Sequence, residues 1–269
     1  MNDEPFTLSQ PFDAAQLAAS SAGVLLVGHG TRDSAGVAEA LEAARLLTQR
    51  LSPLPVEPCF LELAEPTIDA AVVRLAARGV RRLLTVPVIL FAAGHAKRDI
   101  PAAVGEACDR HGLTLVGQTP HLGCRPEMQA LSQRRHDEAL AQHPFAAEET
   151  MLVMVGRGST DADANEEMRL FAKLRASANR RVLTSLAFVA MAQPALEPIL
   201  ESVAQFGRRV VVVQPHLLFA GELLERIGQT VAAVGKRHSA IRWSVARHLG
   251  AEPELVDCLA GLVAEADFR

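Results

Sequence analysis

Two histidines stand in glycine-rich phrases, His29 in VGHGTRD (27–33) and His95 in AAGHAKRD (92–99). Imidazole nitrogen ligates cobalt, iron, nickel and zinc. The flanking Gly28, Gly30 and Gly94 leave room for a bulky ligand or permit unusual backbone angles. Between the histidines, FLELAEPTI (60–68) carries Glu62 and Glu65. Either carboxylate could complete a metal site or take up a proton. Each residue also has a plain structural reading. A histidine beside glycine is commonly a hydrogen-bonded loop residue, and a carboxylate near a helix N-terminus is favoured there by the dipole alone. Asp99, four residues after His95, is a candidate to orient that imidazole or to cap a helix.

The elements around these residues set where they stand. VLLV (24–27) is a short apolar run, after which Val37, Leu41, Ala44 and Leu47 recur at helical spacing. CFLEL follows, then Pro66 at an expected N1 position of a helix that Gly79 stops. VRRLLTVPVILF, a helix near 97–110, LTLVG and a helix from about 125 complete the run. Continuous apolar strands alternating with helices predict parallel strands buried on both faces, an α/β doubly wound sheet. In such sheets ligands bind beyond the carboxyl ends of the strands. His29, Glu62, Glu65 and His95 all fall there, on one rim.

The same grammar recurs. VGRGSTD (155–161) echoes VGHGTRD at an offset of 128 residues, and the register holds without a gap from residue 27 to 92. Phe60 meets Phe188, Pro66 meets Pro194, Gly79 meets Gly207, and Pro87, Leu90 and Phe91 meet Pro215, Leu218 and Phe219. The period is far longer than that of a solenoid, so the chain predicts two tandem duplicated α/β domains with a cleft between them. Residues 1–21 read as a loosely ordered polar extension, 22–142 as the first domain, 143–149 as a linker and 150–269 as the second domain. The copies differ at the chemical positions: Arg157 stands for His29, Ala190 for Glu62, Gln193 for Glu65 and Leu223 for His95. Arginine does not ligate a metal but does hold a carboxylate. One half is thus expected to carry the site and the other to supply shape and an anion contact.

Composition narrows the classes. The chain has 269 residues, 49% of them hydrophobic, and a net charge of −4, which gives no global case for nucleic acid or an anionic membrane. Its four cysteines show no CxxC spacing, so neither a zinc knuckle nor an iron–sulfur cluster is expected. No GxxxxGK[ST] loop is present, so no coupled ATP hydrolysis is expected. The N-terminus has no basic, apolar signal pattern, which leaves a cytoplasmic location as the expectation. Any acidic ligand must be met by local cations; Arg32, Lys97, Arg98, Arg157 and Arg226 are candidates. The other histidines read as structural: His216 at a strand end, where it could also line the cleft, His121 and His248 in turns, and His111, His136, His143 and His238 on the surface.

GHGTRD, FLELAEPTI, PVILFAAGHAKRDIP, VGRGSTDADAN and PHLLFAGELLERI together resemble the class II tetrapyrrole chelatases, in particular the sirohydrochlorin cobaltochelatases in their two-repeat form. The resemblance covers about residues 22 to 266. It implies ATP-independent insertion of a divalent metal, Co²⁺ foremost and Fe²⁺ or Ni²⁺ as alternatives, into sirohydrochlorin for cobalamin or siroheme synthesis. It places the metal on His29 and His95, with His29 also taking up a pyrrole proton. It places the functional glutamate on Glu65 with Glu62 close by, and substrate contacts on Glu65, Leu90, Phe91, Ala92, Ala93, Gly94 and His95. Arg157 joins the substrate contacts through the repeat. A monomer with an internal pseudo-dimer suffices for this arrangement. Three other readings stand beside it: a sirohydrochlorin ferrochelatase, a non-catalytic tetrapyrrole or metal carrier, and a histidine phosphatase. The last requires an arginine where this chain has Gly28.

Overall fold

The computed structural model describes residues 12–141 and 145–268, with the backbone alone at His95, Ala96 and Ala147. The first half runs α1 (Ala14–Ala19), β1 (Ala22–Gly28), α2 (Ser34–Leu51), β2 (Val56–Phe60), α3 (Ile68–Ala77), β3 (Arg82–Pro87), α4 (Ile100–His111), β4 (Thr114–Gln118) and α5 (Pro126–Leu140). The second runs β5 (Thr150–Gly156), α6 (Ala162–Ala178), β6 (Leu183–Phe188), α7 (Leu196–Val203), β7 (Val210–Pro215), α8 (Glu222–Arg237), β8 (Arg242–Val245) and α9 (Pro253–Glu265).

Each half builds a four-stranded parallel sheet, ordered β2-β1-β3-β4 and β6-β5-β7-β8. The central strands explain the apolar runs: six of seven residues of β1 and all seven of β5 are buried. Helices cover both faces, as right-handed crossovers require. On the outer faces, α3 and α4 pack Val72, Leu75 and Val104 against the first sheet, and α7 and α8 pack Leu200, Ile227 and Val234 against the second. The inner faces share one core. Leu47 of α2 and Met128 and Leu131 of α5 join Phe171 of α6 and Leu255, Leu259 and Leu262 of α9. Burying apolar area common to both halves holds them as one unit.

Polar contacts across this shared layer repeat about a pseudo-two-fold axis. His248 Nε2 lies 2.9 Å from a carboxylate oxygen of Glu39 on α2, and His121 Nε2 lies 2.8 Å from one of Glu167 on α6. Glu39 and Glu167 are themselves separated by the repeat offset. The turn role expected for these two histidines is therefore replaced by a cross-half role, the same surface used twice as in an isologous dimer.

Three further expectations are corrected. Pro66 precedes the helix rather than opening it; Thr67 is the N-cap, its hydroxyl accepting from the Ala70 N–H at 3.3 Å. Part of the polar N-terminal segment is ordered, with Asp13 capping α1 through its side chain. His136 is buried, not on the surface. His111 and His238 are half-buried and paired with Asp69 and Glu201, and His143 lies outside the described residues.

Candidate active site between the two halves

In both sheets the strand order reverses beside the first and third strands, where an open parallel sheet forms a crevice. His29 leaves β1 at that point. The β1–β2 ladder continues past the strands: Leu61 N–H donates to the Gly28 carbonyl at 2.9 Å and Glu62 N–H to the His29 carbonyl at 3.1 Å. This extension lays Glu62 beside His29, whose Nδ1 is 3.4 Å from Oε1 of the carboxylate. The second copy builds the same loop, with Val189 donating to Gly156 at 3.0 Å and Ala190 to Arg157 at 2.9 Å. Leu63 and Met191, at matching positions, both adopt positive φ (65° and 52°). One loop geometry thus carries an imidazole–carboxylate pair in one half and an arginine beside alanine in the other.

Gly30 makes this loop possible. Its φ is +94°, and a Cβ there would meet the Glu62 carbonyl oxygen at 1.8 Å. Gly158 stands in the same conformation against Ala190. Gly30→Ala is expected to force the His29 and Glu62 segments apart, costing about 1–3 kcal/mol of stability and most of the activity. Thermal melting and a turnover assay on the purified variant check this.

A cavity of about 490 Å³ opens above the loop, walled by both halves. His29, Leu90, Phe91, Ala93 and Gly94 line it from the first half; Ala92 does not. Arg157, Ser159, Asn165, Met168, Met191 and His216 line it from the second. Glu62 and Glu65 face a shallower adjoining hollow bounded by residues 60–65 and Thr67. Their carboxylates are turned to different tasks. Glu62 reaches His29, whereas Oε2 of Glu65 accepts the Thr67 N–H at 2.9 Å and steadies the start of α3. Gln193 does the same for α7, accepting from Ala195 at 3.0 Å. The structure therefore brings His29 and Glu62 together and leaves Glu65 in a turn. His95 opens a π-helical turn, His95–Asp99, on the rim beyond β3; its side chain lies outside the described part of the structure. Among the described residues no group of three or more His, Cys, Asp and Glu is placed to hold a metal ion.

The candidate cations divide. Arg157 is exposed on the cavity wall and forms no ion pair among the described residues, and Arg98 also lines the wall. Lys97 instead spans the cleft, with Nζ 3.0 Å from Asp161 and 3.1 Å from Asp163. Those two hydrogen bonds raise its pKa and tie the rim of one half to the N-terminus of α6. Arg32 and Arg226 are exposed and off the wall. Asp99 lines the cavity and makes no side-chain capping bond, so the capping reading fails.

His216, read from the sequence as structural, also reaches the wall. It is 1% exposed and lies between Phe171 (ring centroids 4.2 Å apart) and Phe91 (5.6 Å). Burial, with the Arg175 charge adding to it, pushes the imidazole down to about 3. The repeat held a signal for it, since Val88 occupies the matching place in the first copy.

Comparison with known proteins identifies relatives of the whole chain. The sirohydrochlorin cobaltochelatase of Priestia megaterium is 28% identical over 232 residues, which cover 86% of this chain and 76% of the relative. The sirohydrochlorin ferrochelatase of the same organism is 29% identical over 238 residues, covering 88% and 87%. SirB from Bacillus subtilis, solved with Fe³⁺, superposes with a TM-score of 0.80 at 24% identity, over 91% of this chain and 94% of SirB. The CbiX family model matches residues 23–139 and again 151–266. With both copies matched, the chain belongs to the CbiX family.

Proposed function

We propose that this protein is a chelatase that inserts a divalent metal ion into sirohydrochlorin, Co²⁺ foremost, with no nucleotide hydrolysis and no iron–sulfur cluster. One observation carries the reading: an imidazole on the wall of an inter-half cavity meets a carboxylate from the adjoining hollow, and the duplicated loop opposite has neither. Insertion exchanges one M²⁺ for two pyrrole protons. His29 would present the metal, joined by His95 from the rim; Glu62 accepts one of the two protons and His29, once it has released the metal, the other. Glu65 supports the loop from the turn behind. Leu90, Phe91, Ala93 and Gly94 offer an apolar face to the macrocycle, and Arg157 and Arg98 meet its acid side chains.

The same reading divides the chain into a metal-bearing half, 22–142, and a half without metal ligands, 150–269, working as a monomer in the cytoplasm. Among the described residues no helix is long and apolar enough to cross a membrane. An anaerobic spectrophotometric assay of sirohydrochlorin with Co²⁺, Fe²⁺ and Ni²⁺ in turn tests the function. Many equivalents converted per protein are expected, fastest with Co²⁺. A stoichiometric spectral change without turnover would make the protein a carrier, and a preference for Fe²⁺ a ferrochelatase. Arg157→His is expected to raise KM for sirohydrochlorin about fivefold, the loss of one exposed charged contact of about 1 kcal/mol, while the protein retains metal more tightly. Steady-state kinetics and metal dialysis check both effects.

A further inference from the structure

We propose that His216 is a substrate-binding residue whose imidazole N–H donates a hydrogen bond to a carboxylate side chain of the acidic tetrapyrrole; this rests on the chelatase reading above. His216 lines the cavity and is almost fully buried, yet neither ring nitrogen, each closed to solvent, has a hydrogen-bond partner among the described residues. A buried polar group left unsatisfied is costly, and the scaffold does not require one here. In the first copy the same position is Val88, also on the wall and also buried. The chain after each third strand follows the same path, Val88 donating to the Val27 carbonyl and His216 to that of Val155, both at 2.8 Å.

The surroundings select the ligand. Phe171 and Phe91 pack against the ring of His216 and restrict its plane. Close enough to act on its charge is Arg175, 3% exposed. That guanidinium donates to the Ser132 hydroxyl at 3.1 Å and to the Gln133 amide oxygen, and forms no ion pair among the described residues. A buried positive charge served by neutral acceptors makes this end of the cavity attractive to an anion. Burial and that charge together keep His216 neutral, so it carries one N–H to give. A carboxylate is the group that gains from both the N–H and the field. Sirohydrochlorin carries eight.

The test compares wild type, His216→Phe and His216→Gln with two metal-free ligands, sirohydrochlorin and its octamethyl ester. Phenylalanine keeps the aromatic stack and removes both nitrogens; glutamine keeps an N–H donor. His216→Phe is expected to melt at or above the wild-type temperature, because replacing an unsatisfied group by an apolar one of similar shape is neutral or stabilising. It should also bind sirohydrochlorin about tenfold more weakly, with kcat for cobalt changed less than about twofold. His216→Gln should recover most of the affinity, and the ester should bind wild type and His216→Phe alike. Equal sirohydrochlorin affinity in folded His216→Phe overturns the proposal, and so does an equal loss with the ester, which would make the contact apolar. If His216→Phe does not fold, the ¹⁵N imidazole resonances of His216 in wild type decide: they move on adding sirohydrochlorin and not the ester, and no movement overturns it. Failure of wild type to insert metal would instead sink the chelatase reading.

Discussion

His29→Ala is expected to lower kcat/KM for cobalt insertion by about a hundredfold or more, while the melting temperature stays within about 2 °C of wild type. The imidazole sits on a loop beyond a buried strand with its side chain 29% exposed, so its loss leaves no core cavity. The two glutamates separate cleanly. Glu62→Gln removes the negative charge beside His29 and should cost about tenfold or more in rate. Glu65→Gln should be nearly silent, because Gln193 already performs the same turn-bonding task with an amide oxygen. Parallel kinetics on the three variants check the assignment. A silent Glu62→Gln beside an inactive Glu65→Gln would reverse the two roles.

Arg135→Ala is expected to have the largest effect on stability, about 3–5 kcal/mol, seen as a fall in melting temperature on the order of 10 °C. Arg135 sits on α5 with its side chain fully buried. It donates to the carbonyls of His248 at 2.8 Å and Leu249 at 2.6 Å, and it pairs with Glu252 and with Glu138. Truncation leaves two carbonyls without their donor across the shared layer and leaves Glu252 and Glu138 with Arg134 alone. Burial raises the pKa of Glu252, but hydrogen bonds from Arg135 and Arg134 outweigh it, and the net value is lowered; Glu138 behaves alike. A carboxylate whose folded pKa lies below its unfolded value of about 4.3 stabilises the fold above that pH. That stabilisation is lost as pH falls through the folded value. The acid sensitivity of melting between about pH 5 and pH 3 should therefore be shallower in Arg135→Ala than in wild type. Calorimetry across that range measures both effects.

The parallel sheets, the duplication and the rim were legible in the sequence because each rests on local pattern. Apolar runs such as VLLV form strands buried on both faces, and the offset aligns like residues without a gap. His29 and Glu62 were legible as chemical types, but not their adjacency. That depends on a ladder continuing two residues past β1 and β2, which no periodicity announces. Glu65 drew attention because it precedes Pro66, a position that the turn into α3 explains. The cross-half contacts were least visible, since Glu39 is one of many acidic residues on a helix surface. Its partner His248 lies 209 residues away. The duplication held the missing clue: a histidine after the fourth strand and a glutamate on the first crossover helix recur together, and a pair conserved in both copies about a two-fold axis must meet across it. His216 was legible only as a departure, a polar residue where the first copy has valine.

The matched His–Glu contacts mark the molecule as a dimer whose subunits share one chain, and covalent fusion changes what such a dimer can select. Two identical subunits must offer the two faces of a flat ring the same chemistry, and the ring then enters either way up with equal result. Under the proposed function one face would meet His29 while the other would meet Arg157 and His216. A ring whose acid side chains are unevenly distributed would then have one favoured orientation, with the metal delivered from one side of its plane. Fusion also fixes the effective concentration of each half for the other, so this sidedness persists at any dilution.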